Sequence, residues 1–344
     1  MMLGRAVKLG YDVMMPKTVF NKSILFVGQS GSGKTVALQK VEREIAQGGG
    51  QVVVLNYNGT HDKFWGGETD LVQRIDITRQ GLPFSLLTPL VYPNGELEKD
   101  FDVIEAIVTA FSVTGHLQVR QKSVLRKAVE AAIHNEEVED EIQAICDGIR
   151  IQSGLVADSV YDHFIGLLHK LKSSRKNTFG ILAGKITILD FGLVDEMTER
   201  TIVELVLAVL WRYFRIYGQG VEHPLYVVLD EFQNLNLGKN SILKEIVCQG
   251  RKFNYCVLLA TQSLSGYDVG TWAILQQLAT MLQFHPVTAD LHRLMKRVSS
   301  QDRESFKCSL ETLKKGECIG FGRFLIGGIE IEKPIKISFV EEDL

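Results

Sequence analysis

The sequence predicts an α/β protein built on a mainly parallel sheet, with an all-helical segment inserted into it. Three observations carry this prediction. First, an apolar run over 24–27 stops at Gly28. The chain then reads Gly28-Gln29-Ser30-Gly31-Ser32-Gly33-Lys34-Thr35 before Val36, Leu38, Val41 and Ile45 recur at helical spacing. Second, short apolar runs at 51–55, 186–189, 225–229 and 255–260 are interleaved with helical stretches, the alternation that gives βαβ units in a three-layer fold. Third, the texture turns helical throughout between residues 95 and 172, with Val103, Ile104, Ile107 and Phe111 on one helical face. The expected division is a core of residues 1–94 and 177–344 around a helical insertion of residues 95–176.

Composition sets the outer bounds. The chain has 344 residues, 45% of them hydrophobic, and a formal net charge of −3. That is enough for a large core, and the balance shows no overall basic excess of the kind that marks a general polyanion binder. Five scattered cysteines form no C-x-x-C pair and read as free thiols in a reducing compartment. The first twenty residues carry Arg5, Lys8, Asp12 and Lys17 and no leader-like apolar run. No apolar stretch approaches the ~18 residues a membrane span needs. The nearest, 202–213, is interrupted by Glu204 and Arg212 and reads as a buried helix. A cytoplasmic location is expected. The eight histidines show no ligand-like spacing.

In chain order, residues 1–22 read as an edge strand and a turn around Pro16. A strand over 23–28 leads into the glycine loop and a helix over 34–46, which Gly48-Gly49-Gly50 ends. The uniformly apolar strand 51–55 suits a position covered on both faces. It ends in Asn56-Tyr57-Asn58-Gly59-Thr60-His61, polar residues at the strand end where α/β sheets bind ligands. Ile75 and Ile77 mark a short strand. Pro83, Pro89 and Pro93 break the connection that follows. Four helices are expected at about 95–113, 117–134, 137–150 and 156–172. Their basic residues, with the run Lys172-Ser173-Ser174-Arg175-Lys176, either meet a polyanion or form ordinary solvated faces. Strands at 186–189, 225–229, 255–260 and 281–284 then alternate with helices at 199–216, 242–252, 272–278 and 289–298. A closing hairpin is expected from 318–324 and 329–340 around Gly327-Gly328.

The glycine loop is G-x-x-x-x-G-K-T between a strand and a helix. Its glycines let successive N–H groups point inward at phosphate oxygens, and the first helical turn adds more donors and a positive dipole end. Residues Gly28, Gln29, Ser30, Gly31, Ser32, Gly33, Lys34, Thr35 and Val36 are therefore the candidate ATP cradle. Lys34 reaches the β- and γ-phosphates and Thr35 holds Mg²⁺. The strand 225–229 ends in Asp230-Glu231. Asp230 suits the Mg²⁺ shell and Glu231 suits a general base for an attacking water. One unit later Thr261-Gln262 ends a strand, which places Gln262 to sense the γ-phosphate. Arg251 closes the preceding helix, away from its own site. It can serve a neighbouring copy as an arginine finger or simply favour its helix dipole. Lys252 shares that second role.

Together, residues 28–35, Asp230-Glu231, Arg251-Lys252-Phe253 and Ala260-Thr261-Gln262-Ser263 resemble the HerA/FtsK superfamily of hexameric DNA-translocating ATPases. The run GRKFNYCVLLATQS is similar to the same stretch of HerA-type motors and conjugative coupling ATPases, and the resemblance covers most of residues 20–340. It implies a RecA-like P-loop NTPase core that hydrolyses ATP with Mg²⁺ at the interfaces of a homohexameric ring. Lys34, Glu231, Gln262 and, in trans, Arg251 are then catalytic, with double-stranded DNA in the channel and a nuclease or other effector as further partner. Family members often carry Asp where Asn56 stands. The N-terminal barrel of HerA-type proteins and the membrane helices of coupling ATPases have no counterpart in the sequence. Two other readings stay open at this level: a viral genome-packaging ATPase of the same superfamily, and a non-translocating ATPase switch or scaffold in a mobile-element or phage-defence complex.

Overall fold

The computed structural model describes residues 1–340 except 8, 64–66, 68–69, 136, 138, 169, 177–178, 193 and 236–240. The chain opens with β1 (Met2–Ala6) and β2 (Asp12–Met14), then β3 (Ile24–Val27), the glycine loop and α1 (Lys34–Gln47). β4 (Gln51–Asn56) and β5 (Val72–Asp76) precede four helices, α2 (Asp100–Gly115), α3 (Val119–His134), α4 (Glu141–Ile151) and α5 (Leu155–Leu168). The sheet resumes with β6 (Ile186–Asp190), α6 (Glu196–Tyr217), β7 (Leu225–Leu229), α7 (Ile242–Gln249), β8 (Tyr255–Thr261), α8 (Val269–Leu275) and β9 (Thr280–Gln283). It finishes with α9 (Thr288–Met295), α10 (Arg303–Glu311), β10 (Glu317–Phe321), β11 (Phe324–Ile326), β12 (Ile329–Ile331) and β13 (Ile335–Ser338).

All these strands form one sheet in the order β12-β11-β2-β1-β13-β10-β9-β3-β8-β7-β4-β6-β5. From β9 to β5 every pairing is parallel; from β9 to β12 every pairing is antiparallel. The mainly parallel expectation therefore holds for the half that carries the glycine loop. The expected closing hairpin is replaced by four strands. Only β11 and β12 pair across Gly327-Gly328, whereas β10 inserts between β9 and β13. Three short strands with turns between them leave no periodic signal long enough to separate them. α10 stands where no helix is expected, and the helix expected over 242–252 is shorter. α7 ends at Gln249, and residues 250–253 tighten into a single 3₁₀ turn closed by Asn254 in the left-handed conformation at φ 51°.

Alternation along the central strands sorts residues to two faces. Ile24, Phe26, Val52, Val54 and Ile188 join a core with Ala37, Leu38, Val41 and Ile45 of α1. Leu25, Val27, Val53, Leu55 and Leu189 join the core under α6 and the inserted helices. Both faces are covered, which explains why these strands are apolar at every position. α6 is buried on nearly its whole circumference because α2 packs on its far side from the sheet.

Two buried carboxylates organise the irregular connections. Glu141, at the start of α4, accepts from the amides of Leu86 and Leu87 and from the hydroxyls of Ser85 and Ser173. Glu98 meets Arg212 of α6 in a two-point contact of 3.0 and 2.6 Å, with side chains only 3% and 7% exposed. Arg212 also donates to the carbonyls of Leu86 and Thr88. Its charge inside an apolar helix is therefore a tie to the segment rich in prolines. Arg212→Ala leaves the buried Glu98 carboxylate without its counter-ion, with the Leu90 N–H still donating to it, and takes the donor from two carbonyls; it should cost about 3–5 kcal/mol, read as a fall in urea midpoint at unchanged slope.

Candidate nucleotide site

The site is built at the C-terminal edge of the parallel strands. β3 delivers the loop from Gly28 to Gly33, and α1 begins at Lys34. Gly28 donates its N–H to the Thr261 carbonyl at 3.2 Å and Gln29 to the His285 carbonyl at 2.9 Å, so both neighbouring strands anchor the loop. Gly33 adopts φ 99°, and a Cβ there would lie 2.7 Å from the amide nitrogen of Gly316. Gly316 in turn donates to the Ser32 carbonyl at 2.8 Å. Only glycine fits that backbone contact. The first half of the loop, Gln29 to Gly31, is exposed, whereas Ser32 and Lys34 are buried; Val36 faces outward at 37% exposure.

Lys34 is 4% exposed, and its Nζ donates to the carbonyls of Gly28 at 2.6 Å and Gln29 at 3.2 Å. Burial pulls its pKa down, while the Glu231 and Asp230 carboxylates pull it up. The Lys34 ammonium and the two acids thus share one field. Thr35 donates its hydroxyl to Asp230 Oδ2 at 3.0 Å, across 195 residues of sequence. Asp230 is 2% exposed. Its other oxygen accepts from the Glu231 N–H at 2.9 Å. Tyr57 and Asn58 hold its carbonyl at 2.5 and 3.0 Å. Glu231 itself sits in the left-handed region at φ 56°, ψ 41°, an uncommon conformation for a side chain that branches beyond Cβ. β7 is not the direct neighbour of β3, because β8 lies between them. Thr261 and the exposed Gln262 therefore end the strand between the phosphate loop and the acid pair. Arg251 lies in the turn before β8, exposed and at the opposite edge of the sheet. The seven residues of β8 put it roughly 20 Å from Thr261 at the usual strand rise. The structure brings Lys34, Thr35, Asp230, Glu231 and Gln262 to one edge and keeps Arg251 away from it.

The loop after β4 braces the site from behind. The Asn56 amide donates to Asp62 at 3.0 Å and Asp190 at 2.7 Å, and its oxygen accepts from the His61 N–H. An aspartate at this position would set a third carboxylate against two others, so the asparagine is what this arrangement requires. His61 reaches Glu42 of α1 at 2.9 Å, both side chains buried. Burial works to lower the His61 pKa, but the Glu42 carboxylate outweighs it and the ring is held above its ordinary value. Arg74 donates to Asp190 and to the His61 and Asp62 carbonyls. None of Tyr57, Asn58, His285 or Gly316 stood out as a site residue in the sequence beyond the polarity of residues 56–61. Their roles come from backbone carbonyls and sheet neighbours, which leave no pattern along the chain.

The cradle fits a nucleotide phosphate and Mg²⁺. Ser32 Oγ is buried without a hydrogen-bond partner beside the start of α1, where the first helical turn leaves N–H donors for an anion. The Thr35 hydroxyl and Asp230 carboxylate are hard oxygen donors already within one hydrogen bond of each other, the donor type Mg²⁺ takes alongside phosphate oxygens. Among the described residues no group of three or more His, Cys, Asp or Glu is placed to hold a metal by itself; His169 lies outside the described residues.

No protein-family model and no curated protein matches the sequence. Solved structures do match. VirB4 of Thermoanaerobacter pseudethanolicus superposes with a TM-score of 0.68 at 15% identity, over 99% of this chain and 96% of that one. The chain has the RecA-like fold of a P-loop ATPase. The plasmid coupling protein TrwB, in complex with a non-hydrolysable ATP analogue, matches with a TM-score of 0.64 at 13% identity, over 92% and 85% of the two chains. TrwB with ADP and Mg²⁺ matches at 0.63 and 14% identity, over 96% and 88%. The P-loop ATPase fold thus spans nearly the whole chain, inserted helices included. No described helix is long and apolar enough to cross a membrane.

The basic run after α5 is partly consumed by the fold. Arg175 donates to the carbonyls of Ala132 and Ile133 at the end of α3, and Ser173 is held by Glu141. Arg126 pairs with Glu105. Lys127, Lys172 and Lys176 remain exposed.

Proposed function

We propose that this chain is an ATP-driven DNA motor that works in the cytoplasm as a ring of six copies, hydrolysing ATP at the interfaces between them. The observation that carries the reading is the Thr35–Asp230 contact at 3.0 Å, beside buried Lys34 and partly exposed Glu231. It joins a phosphate loop to an acid pair at one sheet edge, on a fold shared with VirB4 and TrwB. In this reading Lys34 binds phosphate oxygens in place of the Gly28 and Gln29 carbonyls. Thr35 and Asp230 hold Mg²⁺, which when bound neutralises charge on the phosphates. Glu231 takes a proton from the attacking water, and Gln262 contacts the γ-phosphate from the strand between. Arg251, remote from its own site, reaches the site of the next copy. The DNA partner is favoured by multiplication: in a ring each exposed lysine is repeated around the axis, so a weakly basic surface becomes a track for a phosphate backbone despite a net charge of −3.

The test is ATPase rate and particle mass, each with and without duplex DNA. A ring of about six copies whose hydrolysis rises several-fold with DNA, and which Lys34→Ala silences, supports the motor. A monomer whose hydrolysis ignores DNA removes it.

A further inference from the structure

Glu231 is the group on which hydrolysis turns in the proposed function, and it is held by its own neighbour. Gln233 Nε2 donates to Glu231 Oε2 at 2.5 Å. Gln233 sits on the one-turn 3₁₀ helix of residues 232–234 that follows Glu231 directly. That turn is rigidly seated. Phe232 is fully buried, its ring stacks on Tyr267 at 5.6 Å and 8°, and the Leu235 N–H closes the turn on the Phe232 carbonyl at 2.9 Å. The left-handed backbone of Glu231 folds its side chain toward this turn. A carboxylate oxygen that accepts a hydrogen bond from an amide is a weaker acceptor for water, and it must break the bond to take a proton from one. Both partners lie at the surface side of the site, so the exchange is cheap in desolvation.

We propose that Gln233 is a positioning residue that restrains Glu231, and that the chemical step requires the Glu231 carboxylate to leave the Gln233 amide. The far side of the restraint is also defined. Gln233 lines a cavity of about 290 Å³ with Thr114 and His116 at the end of α2 and with Arg200 and Glu204 of α6. Gln233 thus stands between Glu231 and the cavity shared by α2 and α6. Glu204 is buried there with one carboxylate oxygen lacking a partner, and burial pushes its pKa up to about 8.

This inference rests on Glu231 being the base, and the experiment separates the two. Single-turnover hydrolysis without DNA reads the chemical step, and the ATP concentration giving half-maximal rate reads binding. Gln233→Ala and the similarly sized Gln233→Leu, which both lack the donor, raise the rate about three- to tenfold at unchanged half-saturation, the scale of one intramolecular hydrogen bond. Gln233→Lys, a stronger donor, lowers it with half-saturation again unchanged. Opposite signs for donor-lacking and donor-bearing variants are what a purely structural residue does not give. An unmoved or slower Gln233→Ala, or a change in half-saturation alone, overturns the restraint. If Lys34→Ala still abolishes turnover in that case, the nucleotide site stands; if the unaltered protein hydrolyses nothing, both fall.

Discussion

Arg251→Ala keeps its affinity for ATP and loses turnover by about 10³-fold or more. The magnitude is that of an arginine finger, which neutralises charge that exists only in the transition state. The argument is geometric. Arg251 stands in the 3₁₀ turn that precedes β8, exposed, while the phosphate loop and the acid pair gather at the other end of the same strand. No rotamer carries it to its own site, so a direct catalytic part must be played in a neighbouring copy. That yields a sharper test than the single variant. Mixing Arg251→Ala with Lys34→Ala subunits restores some activity, because an intact phosphate loop of one can face an intact arginine of the other. Two dead proteins that stay dead on mixing, or an Arg251→Ala protein with normal turnover, rule out the assignment. The alternative is a terminal-turn cation on its helix dipole, worth under about 1 kcal/mol. It predicts a small stability change and no kinetic one.

Glu231→Gln has the next largest effect, a loss of about 10²–10⁴ in the rate constant of hydrolysis with nucleotide binding retained. The amide keeps the shape of the side chain and its left-handed backbone but cannot accept the water's proton. Binding persists because Lys34, Thr35 and the loop amides are untouched, and removal of a charge that pulls up the Lys34 pKa lowers that pKa further. Equilibrium binding of a fluorescent nucleotide beside phosphate release measures both halves. Loss of binding together with turnover would mean that Glu231 holds the loop in place and is not its base.

Much of this was legible in the residues themselves. Gly28 to Thr35 specify their own conformation, because glycines at φ 153°, 77° and 99° are placed where other residues would be strained. The doubly covered strands declare themselves by unbroken apolar runs. The acid pair follows such a run, and the inserted helices show their buried faces by period alone. These are local properties, each decided within ten or so residues.

What the sequence could not decide is what depends on which strand lies beside which. Nothing in residues 225–231 says that β8 separates them from β3, or that Thr35 meets Asp230 across 195 positions. The antiparallel half of the sheet escaped because strands of three to five residues carry too little periodicity. Asn56 reads in the chain as a departure from the aspartate common in the superfamily that the sequence resembles. In the fold it is the neutral member demanded by Asp62 and Asp190 on either side. Arg212 reads as an interruption of an apolar helix and proves to be the clasp for Glu98. Gln233 reads as one polar residue after two acids, and only its placement on a turn pinned by Phe232 and Tyr267 brings it to Glu231. The sequence by itself determined which reactive and binding groups the chain carries. Tertiary structure decided which groups meet, because hydrogen bonds and charge pairs act over a few ångströms and the chain that supplies them is folded across hundreds of residues.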